Sequence, residues 1–163
     1  MNRKKYSLFC FLTCAFFLLI FSTNIFAGSG LNKNEIISLE DLRKRQLRRT
    51  SFLLLDARSQ RSYDTGHIQG AKLPLTPEYY EHERLFREGA AQEPPQMDAY
   101  LAQRMAKYPK GFPIVTYCST GCQAGAVLLF KLKRLGFTDV KVMEEGFQQW
   151  EEKGYPIQKT LPK

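Results

Sequence analysis

Ile114-Val115-Thr116-Tyr117-Cys118-Ser119-Thr120-Gly121-Cys122-Gln123-Ala124-Gly125-Ala126 is the stretch on which the fold turns. Four residues, apolar but for Thr116, read as a buried strand and end on a cysteine. A short polar turn with Gly121 follows, and then a run of helix formers from Ala124 to Leu135. Strand, cysteine, loop and helix in this order bring backbone N–H groups and a helix N-terminus to the space around the Cys118 sulfur. Such surroundings lower a thiol pKa and favour the reactive thiolate.

The flanking chain extends the same alternation. Ile36-Ile37 reads as a short strand, and Ser38 to Asp41 resembles a capping box opening a helix to about Leu47. Leu39, Leu42 and Leu47 are expected to face inward there. The arginines and lysine from Arg43 to Arg49 read as a solvated face that suits a helix C-terminus. Phe52 to Leu55 is fully apolar and ends at Asp56, as a strand covered on both faces requires. Gly66 to Ala71 reads as a loop into a short strand near Lys72-Leu73. Residues 76–95 carry Pro77, Pro94 and Pro95 and read as a surface excursion with one short helix around Tyr79 to Phe86. Met97, Leu101 and Met105 have helical spacing, Val140 to Val142 reads as a strand, and Gly146 to Lys153 as a last helix. The alternation predicts an α/β domain with a central, mainly parallel sheet flanked by helices in three layers.

Ahead of this domain stands a different kind of segment. Arg3, Lys4 and Lys5 precede an apolar run of 14 residues, Leu8 to Phe21, interrupted by Thr13. Ser22-Thr23-Asn24 breaks the run, and Ala27 supplies a small residue for cleavage. This pattern predicts a secretory signal peptide over residues 1–27, with a periplasmic or secreted product. Left uncleaved, Tyr6 to Ala27 would anchor the chain to the membrane, facing out of the cytoplasm. Residues 28–35 are a flexible lead-in, 36–158 the domain and 159–163 a tail. The formal net charge is +8, and 21 basic against 16 acidic residues remain without residues 1–27. A mildly basic surface suits small anions. No basic stripe interleaved with aromatics points to nucleic acid.

Cleavage removes Cys10 and Cys14 and leaves Cys118 and Cys122 in one loop. A disulfide closing so short a loop gains little chain entropy, so the pair reads as chemical. Two cysteines and a remote histidine make a poor zinc set, and no metal or other cofactor is expected.

Several motifs resemble the rhodanese family of sulfurtransferases. They are Leu54-Leu55-Asp56-Ala57-Arg58, then Tyr63-Asp64-Thr65-Gly66-His67-Ile68-Gln69-Gly70-Ala71, the loop Tyr117-Cys118 to Gly121, and the closing pieces Leu135-Gly136-Phe137 and Gly146-Phe147-Gln148-Gln149-Trp150. The resemblance implies a rhodanese-like fold. It implies that Cys118 is a nucleophile that takes a sulfane sulfur from thiosulfate or a persulfide and passes it to a small or protein thiol, or to cyanide. It further implies that Ser119, Thr120, Gly121, Cys122, Gln123 and Ala124 cradle the anion through their N–H groups. Asp56 and Arg58 are expected as an internal ion pair, His67 as a structural residue of its turn, and Phe147 and Trp150 as core.

Two features depart from the family pattern. The fifth residue after the cysteine is Gln123 where the common loop has arginine. The sixth is Ala124 where phosphatase relatives have arginine. Phosphate and arsenate chemistry is therefore not expected, and thiosulfate loses its cation. Cys122 adds a second thiol able to resolve a persulfide or to exchange with a disulfide. The alternative function is a non-catalytic or thiol-redox module that uses the Cys118/Cys122 pair or binds a partner.

Overall fold

Four parallel strands form the main sheet in the order β1-β5-β4-β2: β1 (Ile36–Ile37), β2 (Leu53–Asp56), β4 (Ile114–Tyr117) and β5 (Val140–Met143). The computed structural model describes residues 30–90, 96–121 and 123–160. The expected signal segment, Pro94, Pro95 and Cys122 lie outside the described residues. Among those described, no helix is long and apolar enough to cross a membrane.

The apolar strands were predicted to be covered on both faces, and period-two alternation divides them between two cores. Leu53, Leu55, Ile114, Val140 and Val142 face one side. There they meet Leu101 and Met105 of α4 (Met97–Met105) and Leu128, Leu129 and Leu132 of α5 (Gln123–Arg134). Leu54, Val115, Tyr117 and Met143 face the other side. They meet Leu39 and Leu42 of α1 (Leu39–Leu47) and Phe147 and Trp150 of α6 (Gly146–Glu152). Each fully buried side chain of this size contributes roughly 1.5–3 kcal/mol. The three-layer α/β architecture expected from the alternation is thus present.

A second sheet, of two antiparallel strands, pairs β3 (His67–Ile68) with β6 (Ile157–Gln158). The strand expected near Lys72-Leu73 is reduced to a single bridge from Lys72 to Leu55, and the paired residues lie earlier, at His67 and Ile68. A short helix, α2 (Gln60–Thr65), fills the interval after β2, its N-terminus capped by the Ser59 side chain. The lead-in ends in a 3-10 turn, Lys33–Glu35.

Two expectations about side chains are corrected. Leu47 is 64% exposed. It lies about 140° round the helix from Leu42, at the last turn of α1, where the core no longer reaches it. The excursion is not all surface: α3 (Pro77–Arg87) turns Tyr79 and Tyr80 into the core, at 8% and 7% exposure, while Phe86 stays outside. At Ser38 only half of the expected capping box forms. The Ser38 hydroxyl accepts the Asp41 N–H at 3.1 Å and donates to the Asp41 carboxylate at 3.0 Å.

Glu35 joins the 3-10 turn to α5. Its carboxylate accepts from Lys133 and from the Asn32 N–H, and these bonds, the Lys133 one first, hold its carboxyl below the usual range. A carboxyl lowered on folding stabilises the native state above its unfolded pKa, and the benefit fades as pH falls through the folded value. A Glu35→Gln protein is expected to be less stable at neutral pH by up to about 1 kcal/mol. Urea denaturation should show the difference closing as the pH drops below about 4.5, the ordinary carboxyl value.

Candidate active site

β4 is the central strand between β5 and β2. Its last residue, Tyr117, stands in register with Asp56, the last of β2. Ligands of parallel α/β sheets collect beyond such carboxyl ends. Cys118 is the first residue beyond, 6% exposed, with its Sγ 3.7 Å from the Thr120 carbonyl oxygen. Gly121 follows at φ +58, a left-handed turn that glycine adopts without strain. The chain then re-enters helix at Gln123. The Thr116 hydroxyl donates to the Gly125 carbonyl at 2.9 Å and ties the first turn of α5 back to β4.

The N-terminus of α6 holds the loop from its other side. Phe147 N–H donates to the Cys118 carbonyl at 2.7 Å, and Gln148 N–H to the Ser119 carbonyl at 3.2 Å. In a trans peptide the N–H points opposite to the C=O, and no described peptide is cis. The N–H groups of Ser119 and Thr120 therefore face away from α6. Gly146, at φ +77, permits this approach. A Cβ there would lie 2.3 Å from the Ser119 oxygen and 3.0 Å from the Cys118 oxygen.

Beneath the loop lies a buried charged network. Asp56 is fully buried and accepts from Arg58 Nη2 at 2.7 Å, from Arg58 Nε at 3.0 Å and from the Tyr117 hydroxyl at 2.7 Å. Arg58 Nη2 also donates to the Gly66 carbonyl at 2.6 Å, and its guanidinium stacks 3.9 Å from the Phe147 ring centroid. Burial, and then the Asp56 charge, push the Tyr117 phenol above its ordinary pKa, so it remains a donor. The network joins β2, β4 and α6 under Cys118. A buried ion pair with its hydrogen bonds satisfied costs several kcal/mol if one partner is removed. His67 is buried, stacked 3.7 Å from Tyr63 with an interplanar angle of 5°, and its Nδ1–H donates to the Tyr63 carbonyl at 2.8 Å. Tyr63 in turn donates to the Ala71 carbonyl at 2.9 Å. These contacts bind the turn from Tyr63 to Ala71.

Of the site residues expected from sequence, the structure gathers Cys118, Ser119, Thr120 and Gly121 in one loop, with Gln123 and Ala124 opening α5. Gln123 is exposed. Cys122 lies outside the described residues. Asp56 and Arg58 support the loop from below, and His67 belongs to the β3–β6 side. Two elements were not read from sequence: the close approach of Gly146 to Ser119, and the stacking of Phe147 on Arg58. The glycine opening the last helix was visible as a motif, but its partner lies 27 positions away. Among the described residues, no group of three or more metal-ligating side chains gathers.

Comparisons with known proteins agree with this fold. The rhodanese-like domain family matches residues 38–153. No curated protein matches the chain. Similar solved structures include a rhodanese-like domain from Anabaena sp. (20% identity, 77% of this chain and 79% of that one, TM-score 0.56). A Bacillus halodurans protein matches at 20% identity over 78% of this chain and 79% of that one, with a TM-score of 0.57. A thiosulfate sulfurtransferase from Pseudomonas aeruginosa matches at 20% identity over 77% of this chain but 20% of its own length, with a TM-score of 0.53. At these identities the likeness speaks for the fold.

Proposed function

Because this chain belongs to the rhodanese-like domain family, we propose that it is a sulfurtransferase working through a persulfide on Cys118. The observation that carries this reading is the loop around the sulfur. Its Cys118 and Ser119 carbonyls are bonded to α6, so the Ser119 and Thr120 N–H groups are directed to the opposite face, where an anion would be received. Convergent, fixed N–H donors stabilise a thiolate and a persulfide without reorganisation.

The transfer takes two steps. The Cys118 thiolate attacks the sulfane sulfur of a persulfide, polysulfide or thiosulfate donor. The donor's S–S bond breaks, and its electron pair leaves with the donor. A thiolate acceptor then attacks the outer sulfur of the Cys118 persulfide, a new S–S bond forms on the acceptor, and Cys118 departs as thiolate. Neither step needs a cofactor. The test is steady-state turnover from inorganic polysulfide to a thiol acceptor: sustained transfer is expected, and its absence from folded protein would refute the reading.

Gln123 leaves the loop without a side-chain cation, so thiosulfate should be the poorer donor. A Gln123→Arg protein is expected to bind thiosulfate about tenfold more tightly, because arginine adds a charge and bidentate donors for sulfonate oxygens. Kinetics at low and high salt check this, since a Coulombic gain must shrink as salt screens it. The site of action is proposed to be outside the cytoplasm, on the strength of the signal pattern in residues 1–27. Mass spectrometry of protein recovered from its host should find a chain starting at Gly28, and a chain starting at Met1 in the cytoplasm would contradict export.

A further inference from the structure

A cleft of about 480 Å³ is lined by Ala57 and Ser59, which follow β2, and by residues of α5, the helix that leaves the Cys118 loop. Leu75, Tyr79, Tyr80, Ala124, Val127 and Leu128 contribute apolar surface to its wall. Leu75, Tyr79, Tyr80 and Leu128 belong to the same buried apolar cluster as Cys118. Ala124 is in the first turn of α5, and Ala57 also lines the cleft; its N–H donates at 2.8 Å to the carbonyl of Tyr117, the residue before the cysteine. The volume falls in the range of small-ligand sites, roughly 300–1,000 Å³.

Charge narrows the occupant. Arg58 and Lys131 border the cleft, but Arg58 is paired with Asp56 and Lys131 with Asp98. Glu83 also lines the wall, and Arg134 shares Asp98. Both cations on the wall thus already have a carboxylate of their own, and neither is left over to attract a dianion. At the outer edge Val127 is 54% and Met97 40% exposed, an apolar lip that water covers at a free-energy cost. The complement of this cleft is an uncharged hydrocarbon body.

We propose that the cleft is an acceptor subsite that binds the apolar body of a small organic thiol and delivers its sulfur to the Cys118 persulfide. The proposal rests on the sulfurtransferase reading above and adds the chemical class of its substrate. In the step it serves, the acceptor thiolate attacks the outer sulfur of the Cys118 hydropersulfide. The bond from that sulfur to Cys118 Sγ breaks, the electron pair stays on Sγ, and the proton of the hydropersulfide leaves with the new organic hydropersulfide. There is no net oxidation.

The experiment loads wild-type protein with sulfur from inorganic polysulfide, records the Cys118 persulfide by mass, and follows its consumption by mercaptoethanol, propanethiol and benzyl thiol. Rates are compared per thiolate. The expected result is a rise in kcat/KM of about fourfold for each buried methylene equivalent. In Val127→Asp, a change at an exposed helix position, the ratio of benzyl thiol to mercaptoethanol should fall at least fivefold. A persulfide consumed at equal rates across the series, with the same ratio in both proteins, would overturn the subsite and leave the sulfurtransferase reading standing. Efficient consumption by a protein thiol alone would also overturn it. Failure to load sulfur onto Cys118 is a separate result that refutes the underlying reading and the subsite with it.

Discussion

A Cys118→Ser protein folds and transfers no sulfur. The side chain sits at the carboxyl end of the central strand, where one atom changes and the volume hardly does. The serine hydroxyl can donate to the same Thr120 carbonyl that the thiol faces, so the stability change should stay within about 1–2 kcal/mol. Activity should fall by at least about a thousandfold, because a neutral hydroxyl is a weak nucleophile and cannot carry a sulfane sulfur through to a second thiol. Urea denaturation and polysulfide turnover on the same preparation check both halves. Wild-type turnover in the folded variant would remove Cys118 from the chemistry.

The second large effect belongs to Gly146→Ala. Position 146 has φ +77, and an added Cβ would press to 2.3 Å from the Ser119 oxygen, a backbone atom that cannot rotate aside. Left-handed backbone costs a non-glycine residue roughly 1–2 kcal/mol. Expelling α6 from the loop adds the loss of two hydrogen bonds to the Cys118 and Ser119 carbonyls, each about 1 kcal/mol. The expected destabilisation is roughly 3–5 kcal/mol. Any protein that still folds should show a slower Cys118, because the carbonyls that α6 now restrains become free to turn. Denaturation curves, with the rate of Cys118 alkylation against pH, report these effects. Unchanged stability and alkylation would mean that the approach of α6 to the loop is not as close as described.

Much of this architecture was legible because the buried parallel strands β2 and β4 are written as short, almost wholly apolar runs. Leu53 to Leu55 and Ile114 to Tyr117 announce themselves, and the turn after each is where chemistry collects in such sheets. Motif spacing made Asp56, Arg58 and His67 stand out. What escaped reading is short or long-range. The helix Gln60–Thr65 spans under two turns and buries none of its residues, so it carries no amphipathic period. The strands at His67 and Ile157 have two residues each and exist only because they pair with one another. Tyr79 and Tyr80 sit among Glu78, Glu81, Glu83 and Arg84, and that polar setting hides two adjacent rings that both turn inward. Leu47 errs the other way: its apolar character suggested burial, but it lies past the part of α1 that the core covers. The contact of Gly146 with Ser119 joins two loops that only the folded sheet brings together.

The central claim is that Cys118 carries sulfur, and intact mass with peptide mapping after polysulfide treatment tests it most directly. The account predicts a gain of one sulfur atom, located on the peptide containing Cys118 and lost again on adding a thiol acceptor. No gain, or instead a loss of two hydrogens from the formation of a Cys118–Cys122 disulfide, would contradict it.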